Sequence, residues 1–269
     1  MIDRRRFSAG LAMGAAALVL APRAMAQTAP FRATLVAEAA GRPIFREGAT
    51  DLRLPPFSTF KTPLALMGFD AGVLRSATEP RIAYRAAFDA SRREHMTTDP
   101  TVWQAQSILW YSQMITRELG MARFQAYVDG FGYGNRDLAG TPGRPGLSRS
   151  WLMSSLKISA DEQVAFLRRM LAGDLPVSQE AVRQTRAITT AFDAPGGWRV
   201  RGKTGSGFLP TAEGRIDRAR PQGWFAGWAD RDGRRVLFAR LQVFDGPRDR
   251  PASFIVRDEL IAGLAGMAG

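Results

Sequence analysis

Apolar and polar positions divide this chain into three stretches. Phe31 to Glu38 and Arg42 to Arg46 flank the turn Ala39-Ala40-Gly41, which predicts two paired strands. Pro55-Pro56 interrupts any regular element. Ser58 to Gly72 is then apolar at Phe60, Leu64, Leu66, Met67 and Phe69, which predicts a buried helix. From Val102 to Gly173 the period is mainly helical. Ser107 to Leu119 ends at Gly120, a C-cap residue, and Met121 to Val128 forms a second short helix. Ser159 is placed to cap a helix running to Leu171, with Glu162 at the capping-box position, and Ser178 to Ile188 is a further helix. The last third returns to strands. Trp198 to Lys203 alternates, and Gly223 to Ala229 and Arg235 to Phe244 flank the hairpin signal Asp230-Arg231-Asp232-Gly233. Ala252 to Leu264 closes the chain as a helix.

Strands first, helices next and strands last predict an α/β fold. One central antiparallel sheet is built from both chain ends and flanked by helices, with an all-helical subdomain, roughly 62–175, inserted. The cleft between the two parts is the expected location of a site. Residues 1–26 stand apart. Arg4-Arg5-Arg6-Phe7 is a basic start, Leu11 to Leu20 is apolar, and Ala24-Met25-Ala26 has small residues at cleavage spacing. This pattern predicts a cleavable export signal; the paired arginines before Phe7 fit the twin-arginine type, and an ordinary Sec signal, where arginines are also common, is the alternative. The expected location is the bacterial periplasm, with residues 27–269 as a single domain. No later stretch approaches the length of a membrane span.

Composition narrows the chemistry. The chain has no cysteine, which removes disulfides, thiolate metal sites and cysteine nucleophiles. Its one histidine, His95, lies in the polar run Ser91 to Thr97 and reads as a solvated surface residue, so neither a histidine-rich metal site nor a Ser-His-Asp triad is expected. The formal charge is +12, of which residues 1–26 carry +3. The arginines are scattered without interleaved aromatics, so nucleic acid is not an expected partner. Of the 37 basic residues only Lys61, Lys157 and Lys203 are lysines. Lysine can lose its proton when desolvated, whereas arginine keeps its charge.

Two of these lysines sit in telling company. Ser58 and Lys61 are three residues apart at a helix start, so their side chains share a face. The helix N-terminus favours negative charge developing near Ser58. Phe57, Phe60 and Leu64 surround Lys61 with apolar groups that lower its proton affinity, and a neutral amine beside a hydroxyl is a general base for it. Lys203-Thr204-Gly205 follows a strand and precedes Ser206-Gly207. Its lysine is placed to bind a carboxylate, and Gly205 allows close approach to the backbone. The N–H groups of Ser58 and Ser206 form a candidate oxyanion hole. Ser-x-x-Lys followed by Lys-Thr-Gly marks the penicillin-recognising serine enzymes.

Between the two motifs lie Ser107-Ile108-Leu109, Phe131-Gly132-Tyr133-Gly134-Asn135 and Ser150-Trp151-Leu152. With Phe57-Ser58-Thr59-Phe60-Lys61 before, and Lys203-Thr204-Gly205-Ser206-Gly207-Phe208 and Gly223-Trp224-Phe225-Ala226-Gly227-Trp228 after, this order resembles the class D β-lactamases. The resemblance covers essentially the whole chain after the signal.

The resemblance implies that Ser58 is the acylated nucleophile. It implies that Lys61 is carboxylated by carbon dioxide, that Trp151 donates its indole N–H to the carbamate, and that Ser107 passes a proton to the leaving nitrogen. Lys203, Thr204 and an arginine near the last helix would orient the substrate carboxylate. Arg250 fits that arginine best and Arg248 is its rival. Leu109 would pack against the carbamate, where the family commonly has valine. Gly132 replaces a frequent acidic residue, and Tyr133 and Asn135 would fix a loop behind the site. Lys157 reads as a surface lysine. The implied activity is hydrolysis of small-molecule β-lactams with no metal or organic cofactor. Residues Leu209 to Pro221 would shape the choice of substrate. A penicillin-binding D,D-peptidase and a non-hydrolysing β-lactam sensor are the alternative readings.

Overall fold

The computed structural model describes residues 30–211 and 215–269. The expected export signal and residues 212–214, in the stretch expected to shape substrate choice, lie outside them. The main sheet has six antiparallel strands: β1 (Phe31–Glu38), β2 (Pro43–Glu47), β5 (Ala191–Ala194), β6 (Trp198–Pro210), β7 (Ile216–Arg231) and β8 (Arg234–Val243). A separate two-stranded ribbon consists of β3 (Gly140–Thr141) and β4 (Arg144–Pro145). The order in the main sheet is β2-β1-β8-β7-β6-β5, so strands from both chain ends lie side by side. The helices are α1 (Lys61–Asp70), α2 (Pro100–Gln106), α3 (Leu109–Phe131), α4 (Gly146–Arg149), α5 (Ala160–Ala172), α6 (Gln179–Ile188) and α7 (Ala252–Ala268). None of the described helices is long and apolar enough to cross a membrane.

Strand alternation sends side chains to two cores. Ala33, Leu35, Leu237 and Leu241 face one side, where α5 packs with Val164 and Leu167. Val36, Val236 and Phe238 face the other, where α7 lays Val256, Leu260 and Leu264 across the sheet. These three residues recur every fourth position and are fully buried; each contributes ~2 kcal/mol of burial. Because β7 is covered on both faces, it has an unbroken apolar run, Trp224 to Ala229, rather than alternation.

Several boundaries differ from the sequence reading. Ser58 lies on a 3-10 turn, Phe57–Phe60, and the α-helix starts only at Lys61. Ser107 does not open a helix. It sits in the left-handed region, at φ 57 and ψ 39, as the joint between α2 and α3. Gly120, at φ 70 and ψ 161, divides α3 into two helical pieces where the sequence predicts an end, and the second piece runs to Phe131 rather than Val128. The capping box forms as expected, with Ser159 and Glu162 satisfying each other's backbone N–H. β6 continues well past Lys203, placing the Lys-Thr-Gly segment in the middle of a strand.

Candidate active site

The nucleophile turn is held from three sides. The Phe57 N–H donates to the Trp151 carbonyl at 3.1 Å. Gln163 donates to Thr59 Oγ1 at 2.8 Å, and that hydroxyl donates to the Pro56 carbonyl at 2.7 Å. The Phe60 ring stacks on Trp151, with centroids 5.4 Å apart, and meets the edges of Phe124 and Tyr133. Phe57 takes a positive φ of 49°, a strained value for a bulky residue that this packing maintains. From the sheet side, β6 presses against the same turn. A Cβ on Gly205 would lie 2.7 Å from the Pro56 carbonyl oxygen and 3.1 Å from the Ser58 nitrogen, so only glycine permits the approach.

Lys61 Nζ lies 3.4 Å from Ser58 Oγ, and the side chain is buried. Gln104 donates to the Lys61 carbonyl at 3.0 Å, fixing the first turn of α1. Across the cleft, Lys203 Nζ donates to Ser107 Oγ at 2.6 Å and to the Thr204 carbonyl at 3.1 Å. Ser206 Oγ donates to Ser253 Oγ at 2.7 Å and accepts from the Ser253 N–H at 3.0 Å, joining β6 to the start of α7. Strand β5 pairs with β6 only at Trp198 to Arg201, so among the described residues β6 has no strand partner on that side from Lys203 onward. The resulting cleft has a volume of about 430 Å³ and is lined by Ser58, Arg93, Ser107, Thr204, Ser206 and Phe254, among others.

Two buried amines define its electrostatics. Burial pulls the Lys61 ammonium down from 10.5 to about 7; the negative charge of Glu94 opposes this, and the positive charge of Arg93 adds to it. Lys203 is lowered further below the usual lysine range, first by burial and then by the charges of Lys61 and Arg93. Each ammonium repels the other, so the pair holds fewer than two protons at neutral pH. The N–H groups of Ser58 and Ser206, the expected oxyanion donors, belong to segments that Gly205 brings into contact.

The structure therefore gathers Ser58, Lys61, Ser107, Lys203, Thr204, Gly205 and Ser206 at one cleft. Trp151 is buried behind the nucleophile turn, and no protein acceptor among the described residues takes its indole N–H. Leu109 is half-buried at the start of α3 and packs against the core, two residues after Ser107. Arg250 and Arg248 line a neighbouring cavity of about 590 Å³ that meets the cleft at Ser206 and Pro251. Arg250 is paired with Asp258 at 2.7 Å, and Arg248 donates to the Asp245 carbonyl at 2.8 Å. Asn135 braces the loop after Trp151 through the Ser155 carbonyl and the Lys157 N–H. His95 is exposed, stacked on Tyr84.

Sequence reasoning missed Glu94. It lies in the polar run read as solvated, yet it is only 4% exposed. Its two arginine neighbours gave no sign of burial. The position of Glu94, thirteen residues before Ser107, falls on neither a helical nor a strand period with that serine.

Most of the chain, and not the cleft alone, has known relatives. A model of the penicillin-binding-protein transpeptidase domain matches residues 17–254. β-Lactamase OXA-9 of Klebsiella pneumoniae is 41% identical over 242 residues, covering 88% of each chain. β-Lactamase OXA-1 of Escherichia coli is 34% identical over 196 residues, covering 72% of this chain and 68% of that one. The crystal structure of the class D β-lactamase OXA-427 superposes with a TM-score of 0.82 at 40% identity, over 88% of this chain and 98% of that one. The C-terminal domain of the Bacillus licheniformis BlaR penicillin receptor, 19% identical, shares the fold with a TM-score of 0.74 over 91% of this chain and 92% of that one. Identity with OXA-9 and OXA-427 over nearly nine-tenths of the sequence, together with a cleft that unites Ser58, Lys61 and Lys203, identifies the chain as a member of the class D β-lactamases.

Proposed function

We propose that the chain is a periplasmic serine β-lactamase that opens the lactam amide through an acyl-enzyme on Ser58. The observation that carries this reading is the buried Lys61 amine, held down to about 7 and 3.4 Å from Ser58 Oγ. It is a base at neutral pH, in reach of the hydroxyl it must deprotonate. Lys61 takes the Ser58 proton as Oγ attacks the lactam carbonyl. The N–H groups of Ser58 and Ser206 stabilise the oxyanion. Ser107, bridged to Lys203 at 2.6 Å, delivers a proton to the departing nitrogen. Lys203 and Thr204 bind the substrate carboxylate, with Arg250 extending the positive field from the adjoining cavity. Protonated Lys61 restores the proton that Ser107 gave up and is a free base again; it then takes a proton from water as the oxygen of that water adds to the acyl carbonyl, and the same proton passes to Ser58 Oγ as the acyl group leaves.

The same amine suits carbon dioxide, which adds only to unprotonated nitrogen. Burial supplies such a nitrogen, and the unclaimed indole N–H of Trp151 supplies a donor for an anionic oxygen. Bound there, carbon dioxide would supply an anionic oxygen as the base in place of the neutral amine. Its negative charge beside Lys203 would also hold that ammonium protonated for carboxylate binding. We further infer that residues 1–26 are a cleaved export signal, of the Sec or the twin-arginine type. Residues 27–269 form one domain, in which the helical part, roughly 62–175, is inserted between sheet strands.

Steady nitrocefin turnover by the purified chain, lost in Ser58→Ala with unchanged circular dichroism, is the expected result. A single burst, with a stable adduct mass on Ser58, would replace hydrolysis by a sensor-type reaction. Parental turnover in Ser58→Ala would remove the serine mechanism.

A further inference from the structure

Glu94 is the least expected charge at this site. It lies on a short 3-10 turn, Arg92–Glu94, well before α2 in sequence. Every carboxylate oxygen has a partner. Oε2 accepts the Leu109 N–H at 2.7 Å. Oε1 accepts from Ser91 Oγ at 3.3 Å and from Arg93 Nη2 at 3.1 Å. The Glu94 carbonyl accepts the Trp110 indole N–H at 3.0 Å. The Trp110 ring is in turn stacked on Phe88, with centroids 4.5 Å apart. This turn is thus fastened to the first two residues of α3 and to nothing in α2 except through Arg93, which donates to the Gln106 carbonyl at 3.3 Å.

The placement matters because of what α3 lacks. Its N-cap residue, Ile108, has no side chain able to accept a hydrogen bond, so the first N–H groups have no local acceptor. Glu94 supplies that acceptor from outside the helix, with a negative charge at the positive helix end. Immediately before Ile108 stands Ser107, a non-glycine residue in the left-handed region, which needs its surroundings to hold it there. Arg93 secures the residue before Ser107, and Glu94 secures the residue after Ile108. Together they grip the joint from both ends.

We propose that Glu94 is a positioning residue for the proton relay: it caps α3 to hold the Ser107 joint and sets an anionic charge against the Lys61 side of the cleft. This rests on the serine-hydrolase reading of the same site and goes beyond it. Two charged groups of this turn, Glu94 and Arg93, bear on Lys61, and Lys61 in turn bears on Lys203 from β6. Glu94 favours the protonated amine, whereas Arg93 opposes it. An anion at Glu94 also disfavours a second anion on Lys61. Removing its charge therefore extends the range of active Lys61 toward acid, and removing Arg93 contracts that range.

The test uses Glu94→Ala, Glu94→Gln and Arg93→Ala in the full chain. Three quantities are followed from pH 5 to 9: kcat, the rate of penicillin adduct formation on Ser58 by intact mass, and the carbamate signal from ¹³C-labelled bicarbonate. Glu94→Ala is expected to lower kcat at least ~10-fold with little change in KM, because the joint loosens. Glu94→Gln keeps an acceptor for Leu109 and is expected to recover most of kcat, while its acid limb moves to lower pH. Arg93→Ala is expected to move the limb upward. A purely structural turn would move the limb in neither direction or in the same direction for both charge variants. That result, or parental kcat in Glu94→Ala, overturns the proposal. If Glu94→Ala does not fold, the opposite shifts of the other two variants decide the matter. A parent that forms the adduct but does not turn over would end the hydrolase reading, while the acid limb of acylation would still test Glu94.

Discussion

Replacing Lys61 with methionine is expected to abolish activity and raise stability, with a gain that disappears at high pH. Methionine keeps the unbranched shape of lysine in a fully enclosed position and removes the amine. In the folded chain Lys61 gives up its proton near pH 7; in the unfolded chain it does so near 10.5. Between these values the unfolded state binds more protons, so on this account the parent gains stability as pH rises from about 7 to about 10.5. Below about 7 the full cost applies. At about 1.36 kcal/mol per pH unit, that cost has a ceiling of ~5 kcal/mol. Replacing a buried ion with an apolar group of similar volume returns ~1–4 kcal/mol in practice. A gain of ~2–4 kcal/mol at pH 6.5, falling below ~1 kcal/mol by pH 10, is therefore expected. Urea unfolding of parent and variant measures the difference at pH 6.5, 8 and 10. Buffers depleted of carbon dioxide are needed, because a group bound only by the folded parent would stabilise it. A pH-independent difference, or a variant less stable than the parent at pH 6.5, would refute an amine held unprotonated by burial.

Three further substitutions probe the neighbours of that amine. Trp151→Ala should slow deacylation more than acylation, so a penicilloyl adduct on Ser58 accumulates in intact-mass spectra, and added bicarbonate should restore part of the rate. Normal deacylation would separate Trp151 from the chemistry. Lys203→Arg should lower kcat as well as raise KM, by about 10-fold in kcat/KM, because a longer guanidinium must displace Ser107 from its 2.6 Å contact. A pure KM effect would leave Lys203 with carboxylate binding alone. Gly205→Ala should push the Pro56–Ser58 segment away from β6 and slow acylation about 100-fold, with a stability loss of ~1–3 kcal/mol. Acylation at the parental rate would show that the turn tolerates the added methyl group.

Much of the chemistry was legible because it depends on local spacing. Ser58 and Lys61 share a face whether the backbone is a 3-10 turn or an α-helix, so the boundary error at Lys61 left the pairing intact. The rarity of lysine identified Lys61 and Lys203 before any contact was known. The site's long-range half was hidden. Ser107 and its successors have ordinary helical composition, and its left-handed backbone comes from tertiary grip. Glu94 sits among arginines in a segment whose burial depends on Phe88 and Trp110 packing over it. The length of β6 was obscured because Gly202, Gly205 and Gly207 weaken strand propensity while serving close packing.

The short reach of β5 has a consequence for self-association. Among the described residues, the outer edge of β6 beyond Arg201 lacks a neighbouring strand, and such an edge ordinarily recruits another chain and seeds aggregates. Here that edge borders the cleft: the nucleophile turn lies against Gly205, and Ser107, Arg93 and Phe254 line the same cleft. Side chains crowded about the strand edge are expected to hinder a flat strand from a second copy more than a compact ring. Trimming one of them, as with Phe254→Ala, risks insolubility before it changes chemistry.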